Sequence, residues 1–242
     1  MHQQILIIDF GSQFTQLIAR RIRELNIYCE IHPYNKLPDL TNQIKGIILS
    51  GSPSSCTDIN APVANIDLMN LHIPVLGLCY GAQYMVSSNG GKVEKSKHRE
   101  YGRANITISK SDSLFNGFND GSQVWMSHGD TILEMPENTC ILAKTDTIPV
   151  AAYRFKDKDI YAVQFHPEVS HSVDGKILLE NFTKTICGCI GDWTPAHFVS
   201  ESVDHYKKII GSDKVIMGLS GGVDSSVAAY ILHRAVGDNL VG

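Results

Sequence analysis

Apolar residues fall along this chain in two rhythms. Residues 4–10, 28–32, 46–50 and 75–79 are short, nearly continuous runs rich in Ile, Leu and Val. Runs of that kind predict strands covered on both faces, as in a parallel sheet. Between the first two, Leu17, Ile18, Ile22 and Leu25 recur at helical spacing, with Arg20, Arg21, Arg23 and Glu24 mostly on the opposite side. Residues 82–88 are compatible with a second helix, stopped by Asn89-Gly90-Gly91. This alternation predicts right-handed crossovers and a largely parallel central sheet flanked by helices, an α/β fold whose sites form at the carboxyl ends of the strands. Asp9, Ser50-Gly51 and Cys79 fall at that edge.

Beyond Lys92 the texture changes. Residues 104–109, 123–126, 141–145, 150–155 and 160–163 are short β-type runs separated by turn residues, which predicts antiparallel hairpins added to the sheet. Residues 177–186 predict a closing helix. A boundary follows near Cys187-Gly-Cys-Ile-Gly-Asp192. Residues 194–210 then predict a helix with Thr194 as N-cap and Pro195 at its first position. Residues 215–219 predict another buried strand, and residues 227–236 a helix. One strand and its helices cannot enclose a core. The expected organisation is therefore one domain over residues 1–190, with residues 191–242 the front of a second α/β domain.

Composition narrows the class of protein. The chain has 242 residues, is 43% hydrophobic and 19% charged, and carries a formal net charge of -4. A sizeable core is expected, and the absence of a basic block argues against nucleic-acid binding by bulk electrostatics. No apolar run is long enough for a membrane span, and the first residues lack a signal-peptide layout, so a cytoplasmic location is expected. The six cysteines, Cys29, Cys56, Cys79, Cys140, Cys187 and Cys189, show no disulfide-framework rhythm. Cys187-Gly-Cys189 has neither CxxC spacing nor a second half-site, so no metal site is expected.

Three stretches carry candidate chemistry. In Gly77-Leu-Cys79-Tyr-Gly81 a strand runs into a helix, with small residues around a cysteine at the turn. That is the layout of a nucleophile elbow. A helix N-terminus beside the thiol favours thiolate, and its free N–H groups can hold an oxyanion. A buried cysteine ending a core strand has the same local pattern. Gln164-Phe-His166-Pro-Glu168 follows an apolar run, so a histidine and a carboxylate could act as acid/base and orienting group. The glycine turn at Ser50-Gly51-Ser52 could aim a further N–H at a reacting carbonyl oxygen.

Together, Gly-Leu-Cys79-Tyr-Gly-Ala-Gln83, His166-Pro-Glu168 and the Ser50-Gly51 turn resemble the class I glutamine amidotransferases over residues 4–188. The resemblance implies a flavodoxin-like three-layer fold and a Cys-His-Glu triad that hydrolyses glutamine to glutamate and ammonia through a γ-glutamyl thioester. It assigns Cys79 as nucleophile, His166 as acid/base and Glu168 as orienter. Gly51 and Tyr80 become oxyanion donors, and Gln83, Ser127, His128 and Gly129 become glutamine-binding residues. Ser52 departs from the pattern, since many members carry a second glycine there. Ile8-Asp-Phe-Gly-Ser-Gln13, Arg99-Glu-Tyr-Gly102 and Val124-Trp-Met-Ser-His-Gly-Asp130 are similar to the GMP synthetase (glutamine-hydrolysing) branch.

Ser220-Gly221-Gly222-Val223-Asp224-Ser225-Ser226 resembles the pyrophosphate loop of the N-type ATP pyrophosphatases. A glycine turn into a helix start offers N–H groups and hydroxyls to phosphate, without the Lys-Ser/Thr ending of a Walker A loop. The branch resemblance implies ATP and Mg2+, used only by the complete enzyme, and XMP as the acceptor that becomes GMP. It also implies a homodimer when full length, and most of the synthetase domain outside this chain. Other readings remain: a glutaminase serving another synthetase, a free γ-glutamyl peptidase, or a binding module with an idle triad.

Overall fold

The computed structural model describes residues 2–242, apart from the side chains of residues 96–100. Arg99 and Glu100 of the branch-like Arg99-Glu-Tyr-Gly102 stretch lie there, outside the described residues. The chain divides into two compact units, Met1–Asp192 and Trp193–Gly242.

The first unit opens with β1 (Gln4–Asp9), α1 (Thr15–Glu24), β2 (Tyr28–Pro33), β3 (Ile44–Leu49), β4 (Val75–Leu78) and α2 (Tyr80–Ser88). It continues with β5 (Lys92–Asn105), β6 (Thr107–Ile108), β7 (Gln123–Glu134), β8 (Thr139–Lys144), β9 (Ala152–Phe155), β10 (Ile160–Val163) and α3 (Gly175–Glu180). Eight strands form one sheet in the order β2-β1-β3-β4-β10-β9-β8-β6. The five from β2 to β10 run parallel, and β9, β8 and β6 extend the sheet antiparallel. The continuous apolar runs arise because both faces are covered. Along β1, Ile5 and Ile7 enter one core cluster, while Leu6 and Ile8 enter the other.

Two sequence expectations for the antiparallel section are corrected. Residues 160–163 form β10, which lies parallel beside β4 in the middle of the sheet. Residues 123–126 belong to the much longer β7, which pairs with β5 in a separate two-stranded sheet. Along β7, Val124, Met126, His128, Asp130 and Ile132 alternate inward. Polar residues take two of those inward positions, which hides the strand from an apolar pattern. The closing helix also differs: α3 passes into a π-helical turn over Asn181–Ile186. There the buried Thr183 hydroxyl donates to the Leu179 carbonyl at 2.8 Å, a side-chain bond to the helix backbone of the kind that perturbs regular winding.

The second unit comprises α4 (Pro195–Ile210), β11 (Val215–Ile216), α5 (Val223–Val236) and β12 (Leu240–Val241). Thr194 caps α4 by accepting from the His197 N–H at 3.2 Å. Its strand is shorter than the apolar run 215–219, because only β12 pairs with it. Helix α5 starts four residues earlier than the pattern predicts, so residues 223–226 form its first turn.

The turn between β4 and α2 rests on two glycines. A Cβ at Gly81 would meet the Leu49 Cβ and carbonyl oxygen at 2.7 Å, and one at Gly77 would meet the Met85 methyl at 2.6 Å. Gly81→Ala is therefore expected to destabilise the protein by roughly 1–3 kcal/mol, the usual cost of overpacking. Urea unfolding measures it, and an unchanged midpoint would show that Leu49 yields freely.

Candidate active site

Cys79 caps α2 with φ 51° and ψ −103°, left-handed values that cost a non-glycine residue on the order of 1–3 kcal/mol. Several hydrogen bonds hold it there. The Cys79 N–H donates to the Val163 carbonyl at 2.9 Å, and the Gly81 N–H to the Ser50 carbonyl at 3.2 Å. The Ala82 and Gln83 N–H groups close back on the Cys79 carbonyl. This geometry lifts the side chain off the strand end, where its thiol donates to the Ser127 carbonyl of β7 at 3.5 Å.

The sheet delivers the histidine. Val163 of β10 pairs with Leu78 of β4 in parallel register, so the chain leaving each strand emerges at the same edge. Cys79 follows one strand and the 164–168 segment the other. His166 Nδ1 lies 2.8 Å from Glu168 Oε1, and both residues are buried. His166 and Cys79 line the same cleft, and the two side chains interact electrostatically. Burial opposes charge on the imidazole. The Glu168 carboxylate and the Cys79 sulfur outweigh that penalty and hold the pKa well above the ordinary histidine value. The Phe14 ring meets the His166 ring edge-on, with centroids 5.0 Å apart.

Of the residues singled out in the sequence, Cys79, Tyr80, Gln83, Ser127, His128, Gly129 and His166 line one cleft of about 600 Å³. Glu168 lies fully buried behind the histidine. Gly51 sits against the ring, since a Cβ there would meet His166 Cε1 at 3.3 Å. Ser52 lines the cleft and accepts from the Ser54 N–H at 3.2 Å. Among the described residues the Tyr80 and Gly51 N–H groups have no protein acceptor. The Tyr80 hydroxyl turns away to the Pro62 carbonyl. The Gln83 amide donates to the Asp130 carbonyl at 3.1 Å and to Gln164 Oε1 at 3.2 Å. His128 Nδ1 donates to the same Asp130 carbonyl at 2.8 Å.

Sequence reading missed several neighbours. Asp130, Lys95, Asp58 and Phe14 also line the cleft, and Lys95 Nζ reaches Asp58 Oδ1 at 3.2 Å across it. Inward alternation along β7 could have found Asp130. Nothing local marks the others. Asp9 Oδ1 gathers the Gly11 and Ser12 N–H groups and the Thr15 hydroxyl, at 2.9, 3.2 and 2.7 Å, which shapes the loop beside Gly51. All six cysteines are free thiols. Among the described residues no cluster of three or more His, Cys, Asp or Glu could hold a metal. None of the described helices is long and apolar enough to cross a membrane.

The remaining candidate loop lies in the second unit. Gly221 has φ 77°, in the left-handed region. Ser220 Oγ donates to Ser225 Oγ at 3.0 Å, and the Ser225 and Ser226 hydroxyls donate to the Gly222 carbonyl at 3.0 and 2.8 Å. The resulting turn is exposed and leads straight into the 14-residue α5. The first backbone bond into that helix comes from the Ser226 N–H, so the N–H groups ahead of it are available to an anion.

The raised His166 pKa predicts a pH dependence of stability. The folded state binds this proton more tightly than the unfolded chain, so the stabilisation is complete below about pH 6.5 and is lost as pH rises toward the folded pKa. The urea midpoint should fall between pH 6.5 and 8, with a slope no steeper than about 1.4 kcal/mol per pH unit for one proton. Glu168→Gln should flatten that slope. A flat profile in the parent would contradict the charged pair.

Comparisons with known proteins give the family of the chain. The family described as Glutamine amidotransferase class-I matches residues 6–186, and that described as NAD synthase matches residues 196–242. The chain is 56% identical over 241 residues to a GMP synthase [glutamine-hydrolyzing] of Cytophaga hutchinsonii, covering 99% of this chain and 47% of that one. It is 54% identical to the Bacteroides fragilis enzyme of the same name, covering 99% of this chain and 48% of that one. The chain thus spans about half the length of the curated relatives it matches. A crystal structure from Thermoplasma acidophilum, described as that of a GMP synthase subunit, superposes with a TM-score of 0.69 at 30% identity, covering 78% of this chain and 95% of that one. A sulfur at a strained strand-to-helix turn, paired with a buried histidine and glutamate, sits within a sequence matched over 181 consecutive positions from residue 6 to 186: the chain belongs to the class I glutamine amidotransferases.

Proposed function

We propose that Met1–Asp192 is a glutaminase whose Cys79, His166 and Glu168 release ammonia from glutamine. The observation that carries this reading is Cys79 at φ 51°, lining one cleft with a histidine that a buried glutamate 2.8 Å away holds charged. The thiolate attacks the side-chain amide carbon of glutamine. The negative oxygen of the tetrahedral adduct is held by the N–H groups of Tyr80 and Gly51. His166 gives its proton to the departing amine, and ammonia leaves a γ-glutamyl thioester on Cys79. His166 then takes a proton from water, whose oxygen attacks the thioester, and glutamate departs as the Cys79 thiolate reforms beside the protonated ring. Glu168 keeps the ring oriented throughout. Ser127, His128 and Gly129 line the glutamine-binding cleft. Gln83 acts from its wall by holding the Asp130 carbonyl and Gln164.

Residues 191–242 would then begin a synthetase domain, with the complete protein a GMP synthase acting in the cytoplasm as a homodimer. Ser220, Gly221, Gly222, Val223, Asp224, Ser225 and Ser226 would cradle the pyrophosphate of ATP. The exposed turn, the positive φ of Gly221 and the available N–H groups of α5 fit that group. ATP, with Mg2+, supplies the activation of XMP that lets ammonia displace AMP. This chain contributes the ammonia and the phosphate-holding turn to that reaction.

Ammonia release from glutamine tests the glutaminase. Cys79→Ala is expected to lower kcat on the order of 10⁴-fold or more, and Glu168→Ala by less, because it orients rather than reacts. Equal and complete loss from both substitutions would contradict these roles. No release by the full-length parent would favour an idle binding module. XMP-dependent pyrophosphate release by the full-length protein tests the second assignment, which fails if another acceptor works and XMP does not.

A further inference from the structure

Residues 125 and 166 meet through their backbones in an unusual pairing. The His166 N–H donates to the Trp125 carbonyl at 3.0 Å. In an ordinary antiparallel pair the return bond would run directly from the Trp125 N–H to the His166 carbonyl. Here it does not. The Trp125 N–H donates to Ser172 Oγ at 3.0 Å, and the Ser172 hydroxyl donates to the His166 carbonyl at 2.6 Å. One side-chain hydroxyl is thus spliced into a backbone pair. It holds the His166 peptide one hydroxyl further from β7 than a direct bond would. Ser172 is 5% exposed, so water has little access to replace it. The strand it engages is the one that accepts the Cys79 thiol two residues on, at Ser127.

We propose that Ser172 is a positioning residue that sets the distance between the His166 ring and the Cys79 sulfur. This rests on the glutaminase reading above. Both Ser172 bonds are to backbone, and neither touches the cleft, so its effect on chemistry passes through His166. Removing the hydroxyl leaves two outcomes for the pair. Either the Trp125 N–H closes directly on the His166 carbonyl and pulls the ring toward β7, or both groups lose their partner and the 166–172 segment loosens. Both change how the imidazole approaches the Cys79 sulfur. The other titratable or charged groups around that pair are Glu168 on the same segment, Arg21 of α1 bonded to the Glu168 carbonyl, His128 and Asp130 of β7, Lys95 of β5, and Asp58. None of them is altered by the substitution.

The test measures how the alkylation rate of Cys79 by iodoacetamide depends on pH, read on the Cys79 peptide by mass spectrometry in the full-length protein. Glutaminase kinetics are measured alongside. Ser172→Ala should move the thiolate inflection to higher pH and lower kcat about ten- to a hundredfold, as sub-ångström to ångström misplacement does, with KM nearly unchanged. Ser172→Thr keeps the hydroxyl and should behave as the parent. Ser172→Val has almost the same shape as Thr without the hydroxyl and should behave as Ser172→Ala, which keeps the comparison informative if the Ala protein folds poorly. Thr183→Ala, which removes another buried hydroxyl bonded to the Leu179 carbonyl, controls for stability and should shift neither readout. A parental inflection and kcat in Ser172→Val, or equal effects from Thr and Val, would overturn the proposal. No release of ammonia from glutamine by the parent protein would instead overturn the glutaminase reading.

Discussion

The structure depends on holding one peptide turn in a conformation its residue disfavours. Cys79 has a left-handed φ without being glycine, which is stable only where the surroundings leave no alternative. Three strands impose it. β4 brings the chain in, β10 accepts the Cys79 N–H through Val163, and Ser50 beyond β3 accepts the Gly81 N–H. Each of those strands is buried on both faces, so none can shift to relieve the strain without opening a packed layer. The sequence cost is visible locally. Gly81 must be bare because Leu49 fills the space a methyl would need. The core therefore does more than stabilise the fold: it holds a nearly buried sulfur at the floor of the cleft, beside the unbonded N–H of Tyr80.

The same sheet explains how distant residues meet. Parallel strands end at one edge, so two neighbours in register present their following loops side by side whatever the length of chain between them. β4 and β10 are such neighbours. The histidine then arrives with its own counterion, since Glu168 is two residues on and completely buried. A buried carboxylate is costly unless paired with a cation and hydrogen-bonded. Here the imidazolium satisfies one of its oxygens. Fold stability and charge on His166 are thus coupled, which raises the imidazole pKa despite the burial that acts against it.

Sequence pattern revealed the parts of this arrangement with strong local signals. β1 to β4 and α1 could be read because their apolar runs match a doubly covered sheet and its crossover. The Thr194-Pro195 helix start could be read because the capping chemistry is local. The β5–β7 ribbon could not. Lys92-Val-Glu-Lys-Ser-Lys-His-Arg-Glu100 has no apolar alternation, and β7 fills inward positions with His128 and Asp130. Those polar residues face inward because a cleft, not a core, lies against them. The rule that exposes a strand therefore fails where the strand contributes to the site. Lys95, Asp58 and Phe14 were missed for another reason: their place at the cleft comes from tertiary approach, and no spacing encodes it.

The second unit shows the converse, a motif whose shape needs little support. Phe198, Ile209, Leu219, Val223 and Tyr230 are exposed, and no residue of α4 is buried. Even so, the turn at residues 220–226 is fully specified by bonds among Ser220, Gly222, Ser225 and Ser226, with Gly221 supplying the left-handed step. Short-range hydrogen bonds of this kind need no distant partner to define their geometry. The contrast with the elbow is physical. Strain at Cys79 has to be imposed by three strands and is meaningful only inside a complete sheet. A phosphate-type turn is unstrained wherever glycine takes the positive φ, so it forms from its own seven residues.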